Sequence, residues 1–92
     1  MKTTQIKTVM VSVESVITSH HFILGWNDKR LNRFYHKDYD TWTNNNQFQY
    51  ERGRQFSILT QNKVMPVIKG TKKANSEAVH ICNELIKNKS II

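Results

Sequence analysis

The chain has 92 residues, so we treat residues 1–92 as a single basic domain. It carries 14 Lys and Arg against 7 Asp and Glu, a formal net charge of +7. One cysteine leaves no intrachain disulfide, and no apolar run approaches the roughly 18 residues of a membrane span. These features exclude a disulfide-stabilised or membrane-spanning protein, and we expect a cytoplasmic protein without membrane contact.

The first third of the chain has a helical hydrophobic period. Apolar residues recur at spacings of three and four, which predicts a helix from about Ser15 to Arg30. Within residues 5–13 the β-branched residues alternate, so helix and extended strand both remain open there. The predicted buried stripe consists of Ile6, Val9, Met10, Val13, Val16, Ile17, His20, Leu24 and Leu31.

Residues 32–43 lack a period and are rich in Tyr, His and Asp, which indicates a connecting loop held by aromatic side chains. Thr41 or Thr43 is expected to cap a second helix. The predicted stripe of that helix is Phe48, Arg52, Phe56 and Leu59.

The C-terminal third contains the clearest helix. Residues 63–70 include Pro66, which predicts an edge strand or an extended connector, and Asn75 or Ser76 is expected to cap the last helix. The buried face of this helix is Ala78, Ile81, Cys82, Leu85 and Ile86. The predicted fold is mainly α, with about three helices. The α+β alternative adds a minor two-stranded element between the N-terminal segment and Val64–Ile68.

Two glycines fall inside the predicted first and second helices. Each costs about 1 kcal/mol relative to Ala in a helix interior. We therefore expect Gly25 and Gly53 to mark the point where these helices cross, with Trp26 and Tyr50 beside the crossing.

No motif of catalysis or metal binding is present. His20 and His21 are adjacent and would point about 100° apart on a helix, so they cannot both face one ion. No phosphate loop, nucleophile elbow or Cys-His arrangement occurs. We expect a protein that is not an enzyme and that has no metal and no cofactor.

The residue pattern favours binding to a polyanion. Phe22 and Trp26 share one flank of the first helix with three cations, and aromatic residues interleaved with cations are typical of RNA and single-strand binding. The competing interpretation is that the two aromatics widen the core. The candidate nucleic-acid-binding residues are Trp26, Lys29, Arg30, Arg33, Tyr35, Arg52, Arg54, Lys72 and Lys73.

Residues 22–56 contain the segment Phe22–Asp28, a tyrosine-rich loop, Trp42, and the sequence YERGRQF at residues 50–56. This pattern resembles a group of short phage-encoded proteins. The same layout is distantly similar to the ribosome modulation factor family, whose members are small basic helical proteins that bind the ribosome. The resemblance implies binding to the ribosome. The positions that match are Gly25, Trp26, Trp42, Tyr50, Arg52, Gly53 and Arg54.

We expect a non-catalytic protein that binds nucleic acid (RNA or DNA), with the ribosome as one candidate. The alternative is a phage-type inhibitor or adaptor that docks on an acidic host protein surface, in the host cell cytoplasm. A homodimer is a third interpretation, because an apolar stripe left exposed on the first helix would favour self-association.

Overall fold

The computed structural model describes residues 12–88, and this part of the chain is mainly helical, as predicted. The helices are α1 (Val13–Ile17), α2 (His20–Arg30), α3 (Asn44–Leu59) and α4 (Ser76–Lys87), with a 3-10 turn at Tyr39–Thr41. Of residues 5–13, only the end is described, where Val13 begins α1. Residues 5–11 lie outside the described part, so the choice between helix and strand there stays open.

The single helix predicted from Ser15 to Arg30 is wrong, because the chain breaks at Thr18 and Ser19. Ser19 is extended, with φ −68° and ψ 150°, and its side chain accepts a hydrogen bond from the Phe22 N–H at 3.3 Å. The Thr18 hydroxyl donates to the carbonyl of Glu14 at 2.7 Å. The Thr18 hydroxyl thus satisfies a carbonyl of the first helix, and the Ser19 hydroxyl satisfies an N–H of the next one. In a continuous helix both groups would bond to the backbone, so the two hydroxyls favour the end of α1 and a capped start of α2.

The break also changes which face of the second segment is buried. The predicted stripe continued through His20, Leu24 and Leu31, but His20 and Leu31 are exposed and Leu24 is only partly buried. The buried face of α2 is instead Phe22, Gly25, Trp26 and Asp28. The predicted stripe is confirmed in α1, where Val16 and Ile17 are buried, and is wrong in α2 because it assumed one uninterrupted helical phase.

Helices α2 and α3 form the largest interface between elements in the described part, and they meet at two glycines. A Cβ atom on Gly25 would collide with the backbone of Tyr50, and a Cβ on Gly53 with the backbone of Phe22. This close approach of the two backbones therefore requires glycine at both positions. The contact lies where the two glycines predicted the crossing.

The predicted stripe of α3 is wrong except at Phe56. Phe48 is 59% exposed and Leu59 is also exposed, whereas Tyr50, Gly53, Phe56 and Ser57 are buried. The face of α3 that contains Gly53 lies against α2, because a residue without a side chain is needed there for the two backbones to approach.

Helix α4 closes the other side of the molecule, against α1. Its Ala78 and Cys82 are buried, as predicted, and burial raises the pKa of the Cys82 thiol to about 11. Ile81 and Leu85 are partly buried against the same core, whereas Ile86 is exposed, contrary to the prediction. The end of the helix thus extends beyond the surface that α1 covers.

The start of α4 is capped by the side chain of Asn75, which accepts from the Glu77 N–H at 3.1 Å. This is one of the two caps expected from the sequence. The helix thereby contributes its buried face to the apolar core, which comprises Val16, Ile17, Phe22, Trp26, Phe56, Val64, Ala78 and Cys82.

The connector before α4 consists of turns and bends and forms no strand within the described residues. Within residues 12–88 the only β-type pairing outside helices is one isolated antiparallel bridge between Val67 and Ala74. The carbonyl of Pro66 accepts from the Asn75 N–H at 2.9 Å, and Gly70 turns the chain with a φ of +81°. The edge strand predicted for residues 63–70 is therefore not observed in the described part, where bends and a turn interrupt the connector.

Candidate nucleic-acid interface

The tyrosine-rich loop is held against α2 and α3 by a buried polar network. The Tyr50 hydroxyl donates to Asp28 Oδ2 at 2.6 Å and accepts from the His36 N–H at 2.9 Å. Burial, followed by the hydrogen bond to Asp28, raises the pKa of Tyr50. One side chain of α3 thus links α2 to the loop.

Asp28 is a buried acid with two donors. It is 3% exposed, and its second oxygen accepts from Arg33 Nη1 at 3.4 Å. A buried carboxylate needs such partners, because an unpaired charge away from water is strongly unfavourable. Arg33 therefore has a structural contact in addition to the phosphate contact expected of it, although its side chain remains 60% exposed.

Arg54 lies over the ring of Tyr35, with its guanidinium carbon 4.3 Å from the ring centroid. Its Nη1 also donates to the carbonyl of Arg33 at 3.3 Å and to the Tyr50 hydroxyl at 3.4 Å. The cation is positioned by contacts with α3 and with the loop, and it borders an open groove. This Tyr35 groove has a volume of about 360 Å³ and is lined by Lys29, Tyr35, Glu51, Arg54, Gln55 and Ile58.

Glu51 is the acid of the Tyr35 groove. Its Oε1 accepts from the Tyr35 hydroxyl at 2.6 Å, and its Oε2 accepts from the Tyr39 hydroxyl at 2.8 Å. The hydrogen bond to this carboxylate is the main cause that raises the pKa of Tyr35, and it raises the pKa of Tyr39 to about 12. Both oxygens of Glu51 are therefore held in place by neutral donors.

Trp42 joins the loop to the start of α2 through contacts between aromatic rings, edge-to-face with His21 and tilted with His36. Its ring centroid lies 4.5 Å from that of His21 and 5.2 Å from that of His36. Burial, with the charges of His20 and His36, lowers the pKa of His21. Trp42 is thus partly buried and serves packing in this structure.

Three of the predicted binding residues come together: Lys29, Tyr35 and Arg54 line the same groove. Arg33 adjoins them through its carbonyl contact with Arg54. This grouping unites the C-terminal half of α2, the loop and the middle of α3. Helical spacing alone gave no sign of it, because Tyr35 lies in a segment without a period.

Trp26 does not join this group. Its side chain is 6% exposed and belongs to the apolar core, so its assignment as a base-stacking group is wrong for this conformation. Phe22, expected beside it on the cationic flank, is fully buried. The competing interpretation, that both widen the core, is the one observed. Arg30 covers Trp26, with its guanidinium carbon 4.5 Å from the ring centroid.

Arg52 and Arg54 do not share a face of α3. Two residues apart on a helix, they point about 200° from each other, on either side of the buried Gly53. Lys72 lies at a second cavity of about 310 Å³, which is lined by Thr18, His20, Ile23, Val67, Thr71 and Lys72. Lys73 is exposed in the same turn. Arg52, Lys72 and Lys73 therefore lie outside the lining of the Tyr35 groove.

Sequence reasoning missed Phe34, which is 95% exposed beside the groove residue Tyr35. A ring this free of contacts within the chain is available to contact a partner. Its signal was a large apolar residue between Arg33 and Tyr35, in a polar loop that has no helical period.

Within residues 12–88, no three His, Cys, Asp or Glu side chains come together as a metal site. In that same range no helix combines the length and apolar composition needed to cross a membrane. Comparison of the chain with protein families, curated proteins and solved structures found no significant match.

Proposed function

We propose that this chain is a non-catalytic protein that binds single-stranded nucleic acid in the Tyr35 groove, in the cytoplasm. The observation that supports it is the arrangement around Tyr35. An exposed aromatic, a stacked arginine and a lysine border one open groove, and the chain has a net charge of +7. Cations neutralise phosphates, while aromatic and guanidinium planes stack on bases.

Phe34 and Tyr35 are the proposed stacking residues, in place of Trp26. Phe34 is 95% exposed and Tyr35 is about half exposed, so both rings can reach a flexible strand. Lys29, Arg33 and Arg54 are the proposed phosphate contacts. RNA is the first nucleic acid to test, because the resemblance to the ribosome modulation factor family implies a ribosomal partner.

The test is a titration of a short labelled RNA at several salt concentrations, read by fluorescence anisotropy. Phe34→Ser should weaken binding about tenfold, because stacking of one base contributes about 1–3 kcal/mol. Lys29→Gln should weaken binding and make the salt slope shallower by about 0.7, the value for one phosphate contact with a single strand.

Lys87→Gln is the matched control. It removes one exposed lysine from α4, whose packing partner is α1, and it leaves the Tyr35 groove intact. Equal losses for Lys29→Gln and Lys87→Gln would show that only the net charge matters and would contradict a site in the groove.

A host protein with an acidic surface is the second candidate partner, and the exposure of Phe34 favours it. Such a ring also suits a pocket in a protein, with Leu31 and Ile58 as further exposed apolar contacts. Nuclease treatment separates the two. Capture from a lysate that survives nuclease, with no affinity for purified RNA or single-stranded DNA, would replace the nucleic-acid proposal with the protein one.

A further inference from the structure

Glu51 is the feature of the Tyr35 groove that simple phosphate binding does not explain. It places a carboxylate in the same groove as Lys29 and Arg54, which would otherwise be cationic. Among residues 12–88, no Lys or Arg forms an ion pair with it. Its hydrogen bonds come from two tyrosine hydroxyls, which leave its negative charge in place. A phosphate beside this group would be repelled, so another part of the strand must lie there.

The two tyrosines orient the carboxylate as a pair of acceptors. A carboxylate has about four lone-pair positions on its two oxygens, and Tyr35 and Tyr39 occupy one on each oxygen. One position on each oxygen remains to accept from a ligand. The group that matches is a pair of adjacent N–H donors.

Among the common bases, guanine alone has two adjacent donors on its Watson–Crick edge, the N1–H and the N2 amino group. Adenine and cytosine place an amino group beside an acceptor nitrogen, and the imino group of uracil lies between two carbonyls. Proteins read unpaired RNA bases on this edge. A fixed carboxylate therefore favours guanine over the other three.

The other residues of the groove are compatible with a base in this position. Gln55 provides a donor for the guanine O6, and Ile58 provides an exposed apolar contact. Arg54 and Tyr35 provide a stacked planar surface. We propose that the Tyr35 groove selects a guanine base of a bound single strand, with Glu51 accepting from its N1 and N2 donors. This inference rests on the proposed function of the same groove.

The experiment compares oligouridine strands that differ at one central base: guanine, adenine, cytosine, uracil or inosine. The wild-type chain should bind the guanine strand about tenfold more tightly than the uracil strand, as expected for one bidentate base contact. Inosine lacks only the N2 amino group of guanine, so its strand should bind less tightly than the guanine strand.

Glu51→Gln is the decisive variant, because it keeps the size of the side chain and an oxygen acceptor while removing the paired acceptors. It should bind all five strands alike, with an affinity for the uracil strand no lower than that of wild type. Glu77→Gln is the control, since it makes the same change of charge in an exposed residue of α4. It should retain the full preference for guanine.

Tyr39→Phe tests the positioning of the carboxylate without altering it. Loss of one of the two hydroxyls should reduce the guanine preference while leaving binding to the uracil strand intact. Equal wild-type binding to all five strands, or a guanine preference that persists in Glu51→Gln, would overturn the inference and leave the proposed function standing. Binding to none of the strands would overturn both.

Discussion

The α2–α3 pair and the α1–α4 pair are stabilised by different kinds of contact. Helix α4 packs small apolar side chains, Ala78 and Cys82, against Val16 and Ile17 of α1 and their neighbours. Between α2 and α3, two glycines bring the backbones together, and a tyrosine and a buried aspartate bond across the interface. The backbone contact at the two glycines leaves no space for an added side-chain atom, and the buried polar bonds require fixed positions of donor and acceptor.

The difference bears on the candidate site. The Tyr35 groove lies on the α2–α3 side, where Tyr50, Glu51 and Arg54 each have a partner in α2 or the loop. A binding site benefits from rigid support, because groups already held in place lose less entropy on binding. Four predictions test the contacts that hold the α2–α3 side, in order of decreasing size.

Gly53→Ala should destabilise the fold by about 3 kcal/mol, because overpacking of a close contact costs about 1–3 kcal/mol or more. The added Cβ would lie 2.8 Å from the carbonyl carbon of Phe22, and backbone atoms cannot move aside as a flexible side chain can. Helix propensity alone would give about 1 kcal/mol of stabilisation, so the sign of the effect is diagnostic.

The measurement is urea unfolding followed by circular dichroism. Gly70→Ala is the matched control, because its added Cβ meets nothing within 4 Å and its cost comes from the φ of +81° alone. That cost is about 1–2 kcal/mol. A stabilising Gly53→Ala would show that α2 and α3 do not approach closely.

Tyr50→Phe should cost about 2 kcal/mol in the free energy of unfolding, since it removes a donor from the buried Asp28 carboxylate. Tyr35→Phe removes a hydroxyl from a half-exposed side chain and should cost less than about 1 kcal/mol. Equal values in a urea titration would contradict the buried network as the main polar support of the loop.

Ionisation of the tyrosines should report the contacts of Glu51. The pKa of Tyr39 is raised to about 12 and that of Tyr35 is also raised, so a spectrophotometric titration should show tyrosinate forming well above the ordinary value of 10.0. Glu51→Gln should lower both values toward 10.0, because the carboxylate is the main cause of the shifts.

The same shifts make folding depend on pH at the alkaline end. The unfolded chain loses these protons near pH 10 and the folded chain only at higher pH, so the stabilisation is full below pH 10. It should fall as the pH rises from 10 toward 12. Stability that is flat through this window would contradict the hydrogen bonds to Glu51.

Phe34→Ser should change the free energy of unfolding by less than about 0.5 kcal/mol, because the ring is 95% exposed. This is the smallest of the four effects. A negligible change in stability would show that Phe34, unlike Gly53 and Tyr50, does not support the fold and is free to serve binding. Thermal unfolding provides the measurement. A loss of more than about 1 kcal/mol would mean that Phe34 packs against the protein.

The buried residues were predicted correctly from the sequence where one uninterrupted helix packs with a single apolar face. In α4 the buried residues Ala78 and Cys82 follow helical spacing, and Asn75 and Thr43 cap their helices as residues of their type commonly do. The prediction failed in α2, where Ser19 restarts the helix and shifts the buried face to Phe22 and Trp26. A local cap of this kind is visible in the sequence only as a serine, which is common in many contexts.

Three properties of the chain follow from its amino acids alone: the helical class, the close α2–α3 contact expected from Gly25 and Gly53, and the excess of positive charge. They depend on local spacing, on the cost of glycine in a helix and on composition. The burial of Trp26, the opposite directions of Arg52 and Arg54, and the groove that Tyr35 shares with Glu51 became evident only in the folded chain. The reason is that these relations depend on how the loop folds over two helices, which no local period encodes.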